Sequence, residues 1–184
     1  MPQAVAHILV PIILISLFRD WYLKRGKKRN FSSHYILIAA LGGVLPDIDF
    51  IFSIFLWLGG AENWYIHKTF THSLFIPIGL FVLFLIFRPF KAKARICNIG
   101  RHKLKLATIF LILAVGALIH IFLDSLVGGP VFFFYPLSQI DYGLYLTDYL
   151  PSELQGMATA LLDGILLVLW MIYLEVKHKV SEFI

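Results

Sequence analysis

Long apolar stretches separated by short polar connections dominate the chain. Five of them run roughly over 4–18, 35–59, 72–88, 106–126 and 157–175. A helix needs about 20 apolar residues to cross a bilayer. The pattern therefore predicts an all-α, polytopic membrane helical bundle of about five transmembrane helices in a single membrane-embedded domain. The first and third stretches are short, which predicts tilt, local thinning or burial behind neighbours. In the second stretch Gly42-Gly43 precedes Leu45-Pro46-Asp47-Ile48-Asp49. Proline lacks a backbone donor and disfavours helix at the residue before it, so this span is predicted to break at Pro46. A broken helix at membrane depth is tolerated where it is buried or lines a polar cavity.

The polar connections alternate in character. Residues 19–34 carry six Lys/Arg and 88–105 carry seven, whereas 60–71 and 127–156 carry one between them, Lys68. Five spans place the two kinds of connection on opposite sides. The positive-inside rule then puts the N-terminus outside and the C-terminus in the cytoplasm of a plasma or inner membrane protein. The apolar run Val5–Phe18 has its basic residues after it rather than before it, which reads as a first span and not a secretory signal. The connection 127–156 is aromatic and acidic and is expected to form an outer interfacial cap or lid.

Composition agrees with this class. Hydrophobic residues make up 59% of 184 and charged residues 15%, with a mean hydropathy of +0.82, against about 45–50% and about 25% in soluble domains. The formal net charge of +5 does not indicate nucleic-acid binding, because the basic residues flank spans on one side, as orientation signals and anionic-lipid contacts do. The single cysteine, Cys97, excludes an intramolecular disulfide and a cysteine-cluster metal site.

Placing the titratable residues on this topology brings in chemistry. His120 and Asp124 are four apart and share a helical face, near the outer end of the fourth span. His7 lies near the outer start of the first, His67 in the outer connection, and His72 at the outer start of the third. Asp47 and Asp49 lie past the bilayer centre in the second. Seven candidate ligands thus fall in one half of the membrane, whereas His34, His102 and His178 lie at the other. A charged aspartate near mid-bilayer costs about 2.5–3.5 kcal/mol on insertion scales unless paired or hydrated. Histidines and a bound cation are the available means of neutralising these carboxylates. Nitrogen and carboxylate ligands without thiolate suit Zn²⁺, Mn²⁺, Fe²⁺ or Ni²⁺. The candidates outnumber the four positions of one tetrahedral site, so either two ions bind or some groups support the others.

Three ordered motifs carry a resemblance. Gly42-Gly43-Val44-Leu45-Pro46-Asp47-Ile48-Asp49, His67-Lys68-Thr69-Phe70-Thr71-His72-Ser73 and His120-Ile121-Phe122-Leu123-Asp124-Ser125 resemble the YdjM-like family of predicted membrane-bound metal-dependent hydrolases. The metal pattern is more distantly similar to zinc-dependent phospholipases C. The resemblance implies a ligand set of His7, Asp47, His67, His72, His120 and Asp124 for one or two divalent ions, zinc first among them. Two departures stand out: Lys68 replaces the family's arginine, and Leu126-Val127-Gly128-Gly129-Pro130 stands where the family has Thr-Pro-x-Gly.

Together these readings predict a hydrolase of an ester or phosphoester, with a lipid-linked substrate at the outer face. Asp49, two residues from a ligand but aimed elsewhere, is assigned as the general base, and Lys68 is assigned to meet a substrate anion. Two alternatives from other classes are a transporter or channel for a metal ion or proton and a metal-stabilised scaffold without turnover. Transport needs a polar path to both faces, and the inner halves of these spans are almost wholly apolar.

Overall fold

The structure, a computed structural model, describes residues 4–26, 31–60, 68–90, 104–127 and 130–179. Among them there is helix and no strand. The helices are α1 (Ala4–Lys24), α2 (His34–Val44), α3 (Asp49–Leu58), α4 (Phe75–Phe87), α5 (Leu106–Val127) and α6 (Ser152–His178). A 3-10 turn, Leu45–Ile48, joins α2 to α3, and further such turns occupy Phe70–His72 and Leu146–Tyr149. Proline near the start of the first turn suits a segment in which the early N–H groups have no helical partner. The break in the second span is therefore a tightened turn, with α3 continuing beyond it.

Among the described residues, four segments are long and apolar enough to cross a membrane: Ala4–Lys24, His34–Leu58, Leu106–Val127 and Ser152–Lys177. The expected fifth span is shorter than the sequence pattern indicated. Helix α4 has 13 residues, about 20 Å at 1.5 Å per residue, against a hydrocarbon thickness of about 30 Å. The reason lies at its start. Ser73 is extended, which separates α4 from the turn that carries His72. His72 thus precedes the helix instead of sitting on it. Helices α1 and α6 extend past their apolar runs because polar side chains pair along them. Asp20 of α1 accepts from the Tyr173 hydroxyl at 2.9 Å and lies 3.3 Å from Lys177 Nζ, both on α6.

Close approach of backbones holds α1, α2 and α5 together. A Cβ added to Gly42 would lie 2.8 Å from the Leu113 carbonyl oxygen, and one on Gly116 would lie 2.7 Å from that of Ala39. Small residues at such crossings let membrane helices pack through backbone contact. At Gly43 the approach is tighter, with a Cβ only 2.1 Å from the His7 carbonyl oxygen. At the end of the bundle near Tyr35 and Leu104, an apolar cluster of Ile15, Tyr35, Ala39, Leu104 and Ile112 fills the interior, and the Lys105 N–H donates to the Tyr35 hydroxyl at 2.8 Å.

At the opposite end, the described part of the aromatic segment folds over the tips of α4 and α5. The Leu74 N–H donates to the Phe133 carbonyl at 2.9 Å, and the Leu144 N–H to that of Ser125 at 2.7 Å. Val131 is fully buried; its N–H donates to Asp141 and its carbonyl accepts from the Tyr142 N–H. Phe133 and Tyr142 stack at 5.2 Å. The segment is a packed cap beside the site.

Candidate metal centre

Five helices and turns bring six titratable side chains together at the capped end. His7 comes from the second helical turn of α1, Asp47 from the 3-10 turn and Asp49 from the start of α3. His72 comes from the turn before α4, and His120 and Asp124 from one face of α5. Except for Asp47, whose side chain is 29% exposed, all are buried. The sixth expected ligand, His67, lies outside the described residues. His34 sits at the far end of the bundle against Ser32.

The centre is a triangle. His72 Nε2 and His120 Nε2 are 3.2 Å apart, and Asp47 Oδ1 lies 3.4 Å from each. Ligands about 2.0–2.1 Å from a tetrahedral zinc ion stand about 3.3–3.4 Å from one another, so these three atoms match one face of such a site. Asp124 Oδ2 stands on the same histidine–histidine edge, 3.4 Å from His72 Nε2 and 3.7 Å from His120 Nε2. The other oxygen of Asp124, Oδ1, lies 3.3 Å from His7 Nε2. His7 and His120 meet edge to face with centroids 3.9 Å apart. Two overlapping sets of ligand atoms result, Asp47–His72–His120 and His7–His120–Asp124.

The ring tautomers follow from what the outward nitrogens meet. His120 Nδ1 is 2.7 Å from the Gly43 carbonyl oxygen, which only accepts, so Nδ1 carries the hydrogen. The Thr71 hydroxyl donates to Asp49 Oδ2 at 2.6 Å. His72 Nδ1 faces that same oxygen at 3.4 Å and the Thr71 oxygen at 3.2 Å, so it too carries its hydrogen. In the neutral imidazoles both Nε2 atoms then present lone pairs toward each other and toward the carboxylates. Such a group of acceptors, removed from water, is stable around a cation. Imidazoles held through the far nitrogen by a carbonyl or carboxylate are the usual supports of metal ligands.

Asp49 is aimed away from Asp47, as expected of it. Its carboxylate lies behind His72, on the far side from the triangle, where it also accepts from the Lys68 N–H at 3.3 Å. Two residues of a tightened turn aim Asp47 into the centre and Asp49 behind it. Lys68 is buried, with a left-handed backbone (φ 63°), a conformation uncommon for a residue with a Cβ and frequent at functional sites. Its Nζ lies 3.5 Å from Asp124 Oδ2. Sequence reasoning missed two contributors. The Gly43 carbonyl had a trace in the Gly42-Gly43 pair before Pro46, and the Thr71 hydroxyl had one in its place beside His72.

A helical bundle with a 3-10 turn inside its second span and a buried histidine–aspartate centre at one end defines a multi-pass helical membrane protein. The chain matches the family described as YdjM inner membrane protein over residues 1–179 and belongs to that family. Neither the curated proteins nor the solved structures contain a match to it.

Proposed function

We propose that this protein is a metal-dependent hydrolase of an ester or phosphoester, lipid-linked, acting at the outer face of the inner membrane. The observation that carries this reading is the Asp47–His72–His120 triangle, whose two imidazoles are held in the ligating tautomer. Asp47, His72 and His120, with Asp124 beside them, would hold a divalent ion there, and nitrogen and carboxylate ligands of this kind are those of catalytic zinc sites.

When bound, a divalent ion supplies Lewis acidity, polarising a carbonyl or phosphoryl oxygen and lowering the pKa of a coordinated water toward about 7. The chain's own groups do the rest. Asp47, the partly exposed carboxylate, marks the side from which water and substrate arrive. It is also the carboxylate open to an arriving water, whereas Asp49 is buried behind His72. Asp49 and Thr71 keep His72 oriented, and the Gly43 carbonyl does the same for His120. Lys68 meets the substrate anion by leaving Asp124. The cap beside the site exposes Leu137, Ile140, Leu144, Leu146 and Tyr149, apolar surface suited to acyl chains at the bilayer interface.

Transport is the weaker reading, because among the described residues the Ile15–Tyr35–Ile112 cluster closes the interior beyond the site. The orientation follows from the basic connections, whose described members Arg19, Lys24, Arg25, Arg88 and Lys105 lie at the end away from the triangle.

The test is metal content and turnover together. Detergent-purified protein loaded with zinc is expected to hold at least one equivalent and to cleave a lipid phosphoester from a screened panel. A His120→Ala, Asp124→Ala double variant is expected to lose both. Retained hydrolysis in that variant would overturn the assignment, and zinc binding without turnover on any ester would favour a scaffold.

A further inference from the structure

The three histidines of the centre share an arrangement that is complete for two and incomplete for one. His72 and His120 each turn Nε2 inward and rest Nδ1 on an acceptor. His7 also turns Nε2 inward, toward Asp124, but its buried Nδ1 has no partner. A second buried atom nearby is in the same condition, Oδ2 of Asp163 on α6. Asp163 is 6% exposed. Its Oδ1 accepts from the N–H of Ala6 at 2.9 Å, the amide next to His7.

One role for this carboxylate is plain. The first N–H groups of a helix have no partner within it, and a carboxylate satisfies one of them and favours the dipole. Capping uses one oxygen, however, and leaves the other buried at membrane depth, where an unsatisfied charged atom is costly.

We propose that Asp163 is the positioning residue of His7, accepting the ring Nδ1–H through Oδ2 while Oδ1 caps α1. Bridged by one water, the two orphaned atoms satisfy each other. The third imidazole then takes the same tautomer as the other two, with its Nε2 lone pair directed at the centre. The assignment extends the metal-centre reading to a fifth helix and makes α6 part of the site. It rests on that reading only for its effect on metal affinity.

Asparagine separates this role from capping. Its oxygen can cap the Ala6 N–H as well as aspartate does, but its second group is an NH2, a donor facing Nδ1. In Asp163→Asn the His7 ring is therefore expected to move its hydrogen to Nε2. Ring-nitrogen NMR on metal-free, histidine-labelled full-length protein reads this directly, with His7 assigned through a His7→Gln variant. Wild type is expected to show the Nδ1–H form of His7, and Asp163→Asn the Nε2–H form. Zinc affinity is expected to fall about 10–100-fold, with little change in the thermal stability of the metal-free protein.

A wild-type His7 in the Nε2–H form overturns the proposal without reference to any variant. So does an Asp163→Asn protein with wild-type tautomer and affinity, which reduces Asp163 to a cap. If wild type binds no zinc, the metal-centre reading fails, and the metal-free tautomers still decide the role of Asp163.

Discussion

The His120 Nδ1 atom lies 2.7 Å from the carbonyl oxygen of Gly43, across the crossing of α2 and α5. The contact links the turn inside the second span to the candidate metal centre. The carbonyl near the end of α2 takes the imidazole hydrogen and leaves Nε2 with its lone pair for an ion. Gly43 can stand there because it has no Cβ, its backbone being pressed against that of His7.

Gly43→Ala is accordingly expected to damage stability and site together. Overpacking of this kind costs about 1–3 kcal/mol, and the displaced backbone is α1 at His7. Thermal unfolding in detergent should show a lower midpoint, with zinc content reduced in the protein that remains folded. An alanine variant with unchanged stability and zinc content would mean that the helices part without consequence.

Asp49→Asn distinguishes an orienting carboxylate from a general base. As the support of His72, Asp49 is expected to govern affinity, so the variant should need about 10–100-fold more zinc for half occupancy. Activity should recover when the metal is raised. A base would give the reverse, unchanged zinc affinity with turnover lost even at saturating metal. A zinc titration of hydrolysis, read against occupancy, gives the answer.

Lys68→Met removes an ammonium that stands beside Asp124 without removing a proposed ligand. Zinc binding is expected to be at least as strong as in wild type, since a competing cation has gone. KM for an anionic phosphoester should rise while neutral esters are little affected. Lower zinc occupancy in this variant would show that the lysine supports the centre instead of the substrate.

Acid should empty the site. Coordination requires neutral imidazole and ionised carboxylate, so bound metal is exchanged for protons. Below the ordinary histidine range of about 6.5, zinc affinity is expected to fall by about tenfold per pH unit for each histidine that must lose a proton. Affinity that falls with pH, by competition with a chelator, supports histidine ligands. A flat profile between about pH 5 and 6 would contradict them.

Much of this protein was legible in its chain. Apolar run lengths identify the spans, because a bilayer demands a set number of apolar residues whatever the neighbours do. The i, i+4 spacing of His120 and Asp124 places them on one face, and the end of the bundle at which His7, His34, His72 and His120 fall follows from counting along the helices. These are local or one-dimensional properties. The tertiary structure decided which atoms meet. That Asp47 enters the triangle while Asp49 stands behind His72 depends on the tightened turn at Leu45–Ile48, where the direction of a side chain changes with each residue. The short α4 depends on the extended Ser73, and a run of apolar letters does not reveal it. The Gly43 carbonyl and the Asp163 carboxylate matter only because α5 brings His120 to the first from 77 residues away and α1 brings the Ala6 N–H to the second from 157. Contacts between distant helices arise from packing, and no spacing within the sequence encodes them.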